Sequence, residues 1–120
     1  QILTLTFPMI GNYGVPSTTR LDKYGLNQGF ESNKIHPAAL LVQDYSYLYS
    51  HWDASMSLSD WLKEQKIPAL HGIDTRLLTK KIRTGGATLG KIEFEDQRDI
   101  EFSDPNTRNL VAEVSTRQVK

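Results

Sequence analysis

The stretch "GGATLGKI", residues 85 to 92, spaces Gly85, Gly90 and Lys91 as a phosphate loop would. Such a loop cradles phosphates on backbone N–H groups, and its Lys reaches the terminal phosphates. Here Ile92 stands where a Ser or Thr would ligand magnesium. The context is also inverted. A phosphate loop needs a strand before it and a helix after it, whereas a helical pattern runs into Gly85 and an alternating pattern leaves from Ala87. A helix C-terminus presents carbonyl oxygens, which repel phosphate. The stretch therefore reads as a glycine helix cap followed by a strand, with Gly90 set against a close neighbour.

Other residues that could do chemistry are scattered. His36, His51 and His71 are too irregularly spaced for a metal site, and neither H-x-E nor H-E-x-x-H occurs. Any one of them could meet a Ser and an Asp in space, which keeps a stand-alone hydrolase with a cryptic His site as an alternative. Glu93, Glu95 and Asp96 lie together at the end of the alternating stretch, but acid–base work needs a spatial pair. Arg76, Lys80 and Arg83 fall at i, i+4 and i+7, so a helix would line them on one face, with Lys81 beside it. That face is either solvated, its cations favouring the helix C-terminus, or a stripe for an acidic partner. Tyr45, Tyr47, Tyr49 and Trp52 crowd one segment, as surface packing or as an interface of the aromatic kind.

The elements that would position these residues follow from periodicity. "QILTLTF" puts Leu3, Leu5 and Phe7 on one face and predicts a strand. "PMIGNYGVP" predicts a loop, Asp22 to Ser32 a weak helix interrupted by Gly25 and Gly29, and Ala38 to Val42 a buried strand. "DYSYLYSHWD" predicts a loop. Ser57 with Asp60 predicts a capped helix with Leu58, Trp61 and Leu62 on its inner face. "IPALHGI" predicts a strand. "DTRLLTKKIRTGG" predicts a helix capped by Asp74 or Thr75, with Leu78 and Ile82 inward and Gly85 or Gly86 ending it. "ATLGKIEFE" predicts a strand, "DQRDIEFSDPN" a polar segment with a turn at Asp104-Pro105-Asn106, and "NLVAEVSTRQVK" an apolar-bearing tail. Alternation of strands and helices predicts an α/β class.

The bulk numbers bound the rest. With 120 residues, 38% hydrophobic and 23% charged, the chain suits one domain with a modest core. Fourteen basic and fourteen acidic residues give a formal charge of zero, so no global pull toward nucleic acid or membrane is expected. There are no cysteines, which excludes disulfides, thiolate metal sites and cysteine nucleophiles within these residues. The chain opens at Gln1 inside an apolar run and closes on Arg117-Gln118-Val119-Lys120, so a piece of a longer polypeptide is expected.

Three motifs in order carry a resemblance. The first is D-T-R-x-L-T-x-x-x-R-x-x-G-x-x-x-G, matched by Asp74, Thr75, Arg76, Leu78, Thr79, Arg83, Gly86 and Gly90. The second is P-x-I-G-N-x-G, matched by Pro8, Ile10, Gly11, Asn12 and Gly14. The third is L-V-x-E-V-S, matched by Leu110, Val111, Glu113, Val114 and Ser115. Together they resemble the N-terminal domain of the small, glutamine amidotransferase subunit of carbamoyl-phosphate synthetase. "LLVQDYS", "HW", "GKIEFE" and "DPNTRNLVAEVST" look more like the fused mitochondrial urea-cycle form than the bacterial subunit, and the pyrimidine-pathway multienzyme is also similar at "IGNYG" and "LTKKIR".

The resemblance implies an α/β fold of the three-layer β/β/α swivelling type, here lacking its first strands. Residues 1–120 would be a partial N-terminal domain, with 111–120 leading to the amidotransferase domain. It implies a non-catalytic structural role in an enzyme that joins bicarbonate, nitrogen and phosphate from ATP. The partners implied are the glutaminase-like domain and the synthetase portion, without nucleic acid or membrane. No catalytic, cofactor or metal residue is expected in this chain, while the parent uses ATP and Mg elsewhere. A mitochondrial matrix location is implied, or the cytoplasm for the pyrimidine-pathway form. The glycines of "GGATLGKI" look architectural on this view, and the motif residues with Lys80 become interface candidates.

Overall fold

A computed structural model describes residues 1–96 and 99–118. The chain divides into two units, Gln1–Thr84 and Gly85–Lys120, each taken on its own. The first holds seven short strands: β1 (Ile2–Thr4), β2 (Met9–Ile10), β3 (Val15–Pro16), β4 (Ala39–Leu41), β5 (Asp44–Tyr45), β6 (Ala54–Met56) and β7 (Ala69–Leu70). Helix α1 (Leu58–Glu64) lies between β6 and β7, and α2 (Thr75–Gly85) follows β7. The mixed α/β class expected from the alternation of patterns is what the chain adopts.

The central sheet is parallel, in the order β1-β4-β7. Its register pairs Leu3 with Leu40, and Leu41 with Leu70. Parallel neighbours need long crossovers, and α1 lies in the one from β4 to β7. Past Leu5 and Leu41 the same two chain segments meet again as β2 and β5, with Ile10 opposite Tyr45. β3 and β6 form a separate antiparallel pair, irregular at Pro16, which has no N–H to donate.

The core sits on one face of β4. Leu40 and Val42 are two residues apart, so they point the same way. They pack with Leu62 of α1, and Leu5, Ile35, Leu58 and Ile67 close around them. Ser57 caps α1 reciprocally: its Oγ accepts from the Asp60 backbone N–H at 3.0 Å and donates to the Asp60 carboxylate at 2.7 Å. At the other end Lys66 takes φ 57, a left-handed position usually given to Gly. Its neighbour Ile67 donates to the Leu62 carbonyl at 2.9 Å and turns the chain back into β7.

Helix α2 starts where its sequence says. Asp74 Oδ1 accepts from the Leu77 N–H at 2.8 Å, and Gly86 at φ 77 follows the last turn. Its inner face is less buried than the pattern predicts. Leu78 is half-buried, but Ile82 remains 36% exposed, while Thr75 is fully buried.

Several expectations are corrected. "PMIGNYGVP" is not only loop: it contributes β2 and β3, and the aromatic segment contributes β5. Two-residue strands carry no periodicity, and their partners are distant in sequence. Asp22 to Ser32 forms no helix. Asp22 Oδ1 accepts from the N–H groups of Tyr24 and Leu26, Gly25 and Gly29 take positive φ, and Leu21 bridges Asn27. A side chain that satisfies its own local backbone competes with helix formation.

In the second unit no strand element forms among the described residues of "ATLGKIEFE". Phe94 takes part in a β-bridge, but the alternating segment does not extend into a strand. A 3-10 turn at Pro105–Thr107 is capped by Asp104, as the Asp-Pro-Asn signal predicts. Helix α3 (Leu110–Val114) is capped by Asn109 Oδ1, which accepts from the Ala112 N–H at 3.0 Å, and Arg108 pairs with Glu113. Gln97 and Arg98 of the polar segment, and Val119 and Lys120 at the end of the tail, lie outside the described residues.

Candidate functional site

The phosphate-loop reading meets its test at Lys91. Its Nζ donates to the Ile100 carbonyl at 3.1 Å, pairs with Glu93 and lies 5.1 Å above the Phe102 ring. A lysine so engaged within its own unit is not poised over a phosphate. The segment before it belongs to a helix C-terminus, with Gly86 as the left-handed residue. Gly90 lies in coil rather than in the strand expected for it.

The histidines fare differently from one another. His36 Nε2 lies 2.8 Å from Ser32 Oγ, an exposed pair without a carboxylate partner among the described residues. His51 Nδ1 accepts from the Asp53 backbone N–H at 3.2 Å, and its ring stands between Tyr13 at 5.5 Å and Trp52 at 5.4 Å. The Asp53 carboxylate is gripped by both terminal nitrogens of Arg20 at 2.8 and 2.9 Å. That hydrogen-bonded guanidinium holds the Asp53 carboxyl below its ordinary value of 3.8. His71 lies edge-on to Tyr47 at 6.4 Å. A hydrolase would need one His joined to both a Ser and a carboxylate in a cleft, and these contacts do not provide it. Among the described residues no three His, Cys, Asp or Glu side chains group to hold a metal, and no helix is long and apolar enough to cross a membrane.

What the structure does bring together is the glycine motif and the tyrosine segment, which the sequence left as separate features. Residues 11 to 14 form a turn, closed by the Gly14 N–H on the Gly11 carbonyl at 3.1 Å. Both glycines take positive φ, 98 and 79. A Cβ at Gly11 would stand 2.6 Å from the Tyr45 ring and 2.9 Å from the Ser46 carbonyl. A Cβ at Gly14 would stand 2.7 Å from the Tyr49 ring and 2.8 Å from the Ala54 methyl. The Asn12 carbonyl accepts from the Ser50 N–H at 3.1 Å, and the Ile10 carbonyl from Ser46 at 2.8 Å. The motif is thus a seat for two aromatic rings. No sequence signal could have joined them, because the contact is tertiary.

Tyr45 is held from the opposite side as well. Its hydroxyl accepts from the Ser59 N–H at 3.1 Å, satisfying a donor in the first turn of α1. Tyr47 packs edge-on against it at 5.1 Å but stays 73% exposed. Between this aromatic wall, β4 and α1 lies a cleft of about 370 Å³. Its floor is Leu40, Val42 and Leu62, and Lys63 and His71 stand at its exposed rim.

The basic stripe forms as its spacing requires. Arg76, Lys80 and Arg83 share one face of α2, and all are exposed, as is Lys81. No ion pair joins them to a described residue of the first unit. Asp74 and Thr75 serve the start of the same helix, and the Thr79 hydroxyl donates to the Thr75 carbonyl at 2.7 Å.

The sequence profile described as the carbamoyl-phosphate synthase small chain, CPSase domain, matches residues 1–92. The chain is 62% identical over its full length to the mitochondrial, ammonia-type carbamoyl-phosphate synthase of Aquarana catesbeiana, and 58% identical to that of Homo sapiens. It is 52% identical to multifunctional protein CAD of Squalus acanthias, again over its full length. It spans 8% of the length of the first two and 5% of the third.

Proposed function

Because the chain belongs to the carbamoyl-phosphate synthase small-chain family, we propose that it is a structural and docking domain, without catalytic residues of its own. The parent polypeptide makes carbamoyl phosphate from bicarbonate, ATP and the nitrogen of ammonia or glutamine. The domain docks a glutaminase-like domain against the synthetase portion, so that ammonia passes between them without escaping to water. Its complete fold is the three-layer β/β/α swivelling type, of which residues 1–120 are a part. ATP and Mg act in the synthetase portion. The higher identity to the ammonia-type enzymes, 62% and 58% against 52%, favours the mitochondrial branch and a matrix location over the pyrimidine-pathway form.

One observation carries the docking role. The motif residues that can be followed serve architecture: Gly11 and Gly14 seat tyrosine rings, Asp74 caps α2 and Gly86 ends it. The same motif leaves Arg76 and Arg83, with Lys80 between them, exposed on one face. A row of exposed cations along one helix face suits an acidic partner surface, where complementary charge fixes register and speeds encounter.

The test is charge reversal, Arg76→Glu with Arg83→Glu, in the full-length polypeptide. Carbamoyl phosphate formation is measured with ammonium and with glutamine as nitrogen donors. We expect activity to fall by about tenfold or more with an unchanged circular dichroism spectrum, in line with the loss of charged interface contacts. Unchanged assembly and activity would refute the docking face.

A further inference from the structure

The cleft beside Tyr45 is not needed for that role, and its chemistry is specific. Its volume of about 370 Å³ lies in the range of small-ligand sites. The floor is apolar: Leu40, Val42 and Leu62 are each less than 9% exposed. One wall is aromatic, and Tyr45 in that wall is fixed at both ends, by Gly11 beneath its ring and by Ser59 at its hydroxyl. A wall so braced keeps its shape when empty, which lowers the entropic cost of binding.

Among the described residues, Lys63 is the charged side chain of the lining, His71 stands with it, and no carboxylate lines the cleft. The Lys63 side chain is 76% exposed, and its nearest acidic partner, Asp60, is 3.9 Å away, a loose contact between neighbours on one helix. Such exposed pairs contribute little, so Lys63 is free to turn to another anion. Its apolar stem can lie along the cleft while the ammonium stays at the rim.

We propose that this cleft binds a small amphipathic carboxylate, with a medium-length apolar chain on the Leu40–Val42–Leu62 floor and the carboxylate at Lys63. A neutral apolar molecule would fill the floor but forgo the rim, and a dianion would exceed the single lysine there.

Carbon-13-labelled decanoate is titrated into the full-length polypeptide and followed by NMR, with decanol as the neutral control. Saturable decanoate binding is expected. Lys63→Glu is expected to weaken it by at least about tenfold while leaving decanol within about twofold, since an ionic hydrogen bond is replaced by repulsion. Val42→Phe, which fills the floor, is expected to weaken both ligands. Lack of saturable decanoate binding would mean that another part of the polypeptide fills the cleft, and the inference would fail. Equal decanoate affinity in wild type and Lys63→Glu would also overturn it. Neither result bears on the basic face of α2, whose charge-reversed variant tests the docking role separately.

Discussion

At the scale of single residues, Gly11 and Gly14 bring a tight turn against the rings of Tyr45 and Tyr49. A loop there was legible from "PMIGNYGVP", because Pro and Gly punctuate regular structure. What the turn holds was not legible, since Tyr45 and Tyr49 come from a distant segment. The consequence is testable at Gly14. An alanine there meets both a left-handed backbone and a methyl placed 2.7 Å from the Tyr49 ring. Each difficulty costs about 1–3 kcal/mol, so Gly14→Ala should destabilise the fold by about 2–4 kcal/mol. Chemical denaturation followed by tyrosine and tryptophan fluorescence would read it, and a loss well under 1 kcal/mol would mean the turn is not rigid. Thr75 is a different case. It is fully buried, and its hydroxyl has no hydrogen-bond partner among the described residues.

At the scale of elements, legibility tracked length and local signals. Helices α1 and α2 were visible because caps and a 3.6-residue period act within a few residues. Strand β4 was visible as a short apolar run, since it is buried in the middle of a parallel sheet. Strands β2, β3, β5 and β6 were not, because two or three residues carry no period and their ladders depend on distant partners. The segment after Gly86 misled in the other direction, alternating while forming no strand element among its described residues. The end of α1 offers an element-scale test. Lys66 holds φ 57, where a Cβ is disfavoured and Gly is not. Lys66→Gly should therefore stabilise the helix end by up to about 1 kcal/mol, net of the chain entropy Gly adds to the unfolded state. Slower amide exchange at Gln65 and Ile67 would show it, and faster exchange would mean that the lysine side chain contributes more than its backbone costs.

At the scale of the whole chain, long-range ties decide which distant segments stay together. The Arg20–Asp53 pair is one, joining residues 33 apart through two hydrogen bonds. Its carboxyl is held below 3.8, first by the hydrogen bond from Arg20. A depressed carboxyl stabilises the fold above its unfolded value and loses that effect as pH falls through the folded one. Amide exchange at Ala54–Met56 should therefore be slower in wild type than in Asp53→Asn at neutral pH, with the gap closing below 3.8. A gap that persists in acid would assign the effect to shape rather than charge. The parallel pairing of β1 with β4 carries a consequence for biosynthesis. Leu3 cannot meet Leu40 until the ribosome has made the whole stretch between them, a wait of about 2–7 s at about 5–20 residues per second. During that interval β1 has no β4 to pair with. Pairing of β1 with β4 is thus timed by translation, and the pace of elongation across residues 5 to 38 sets its earliest moment.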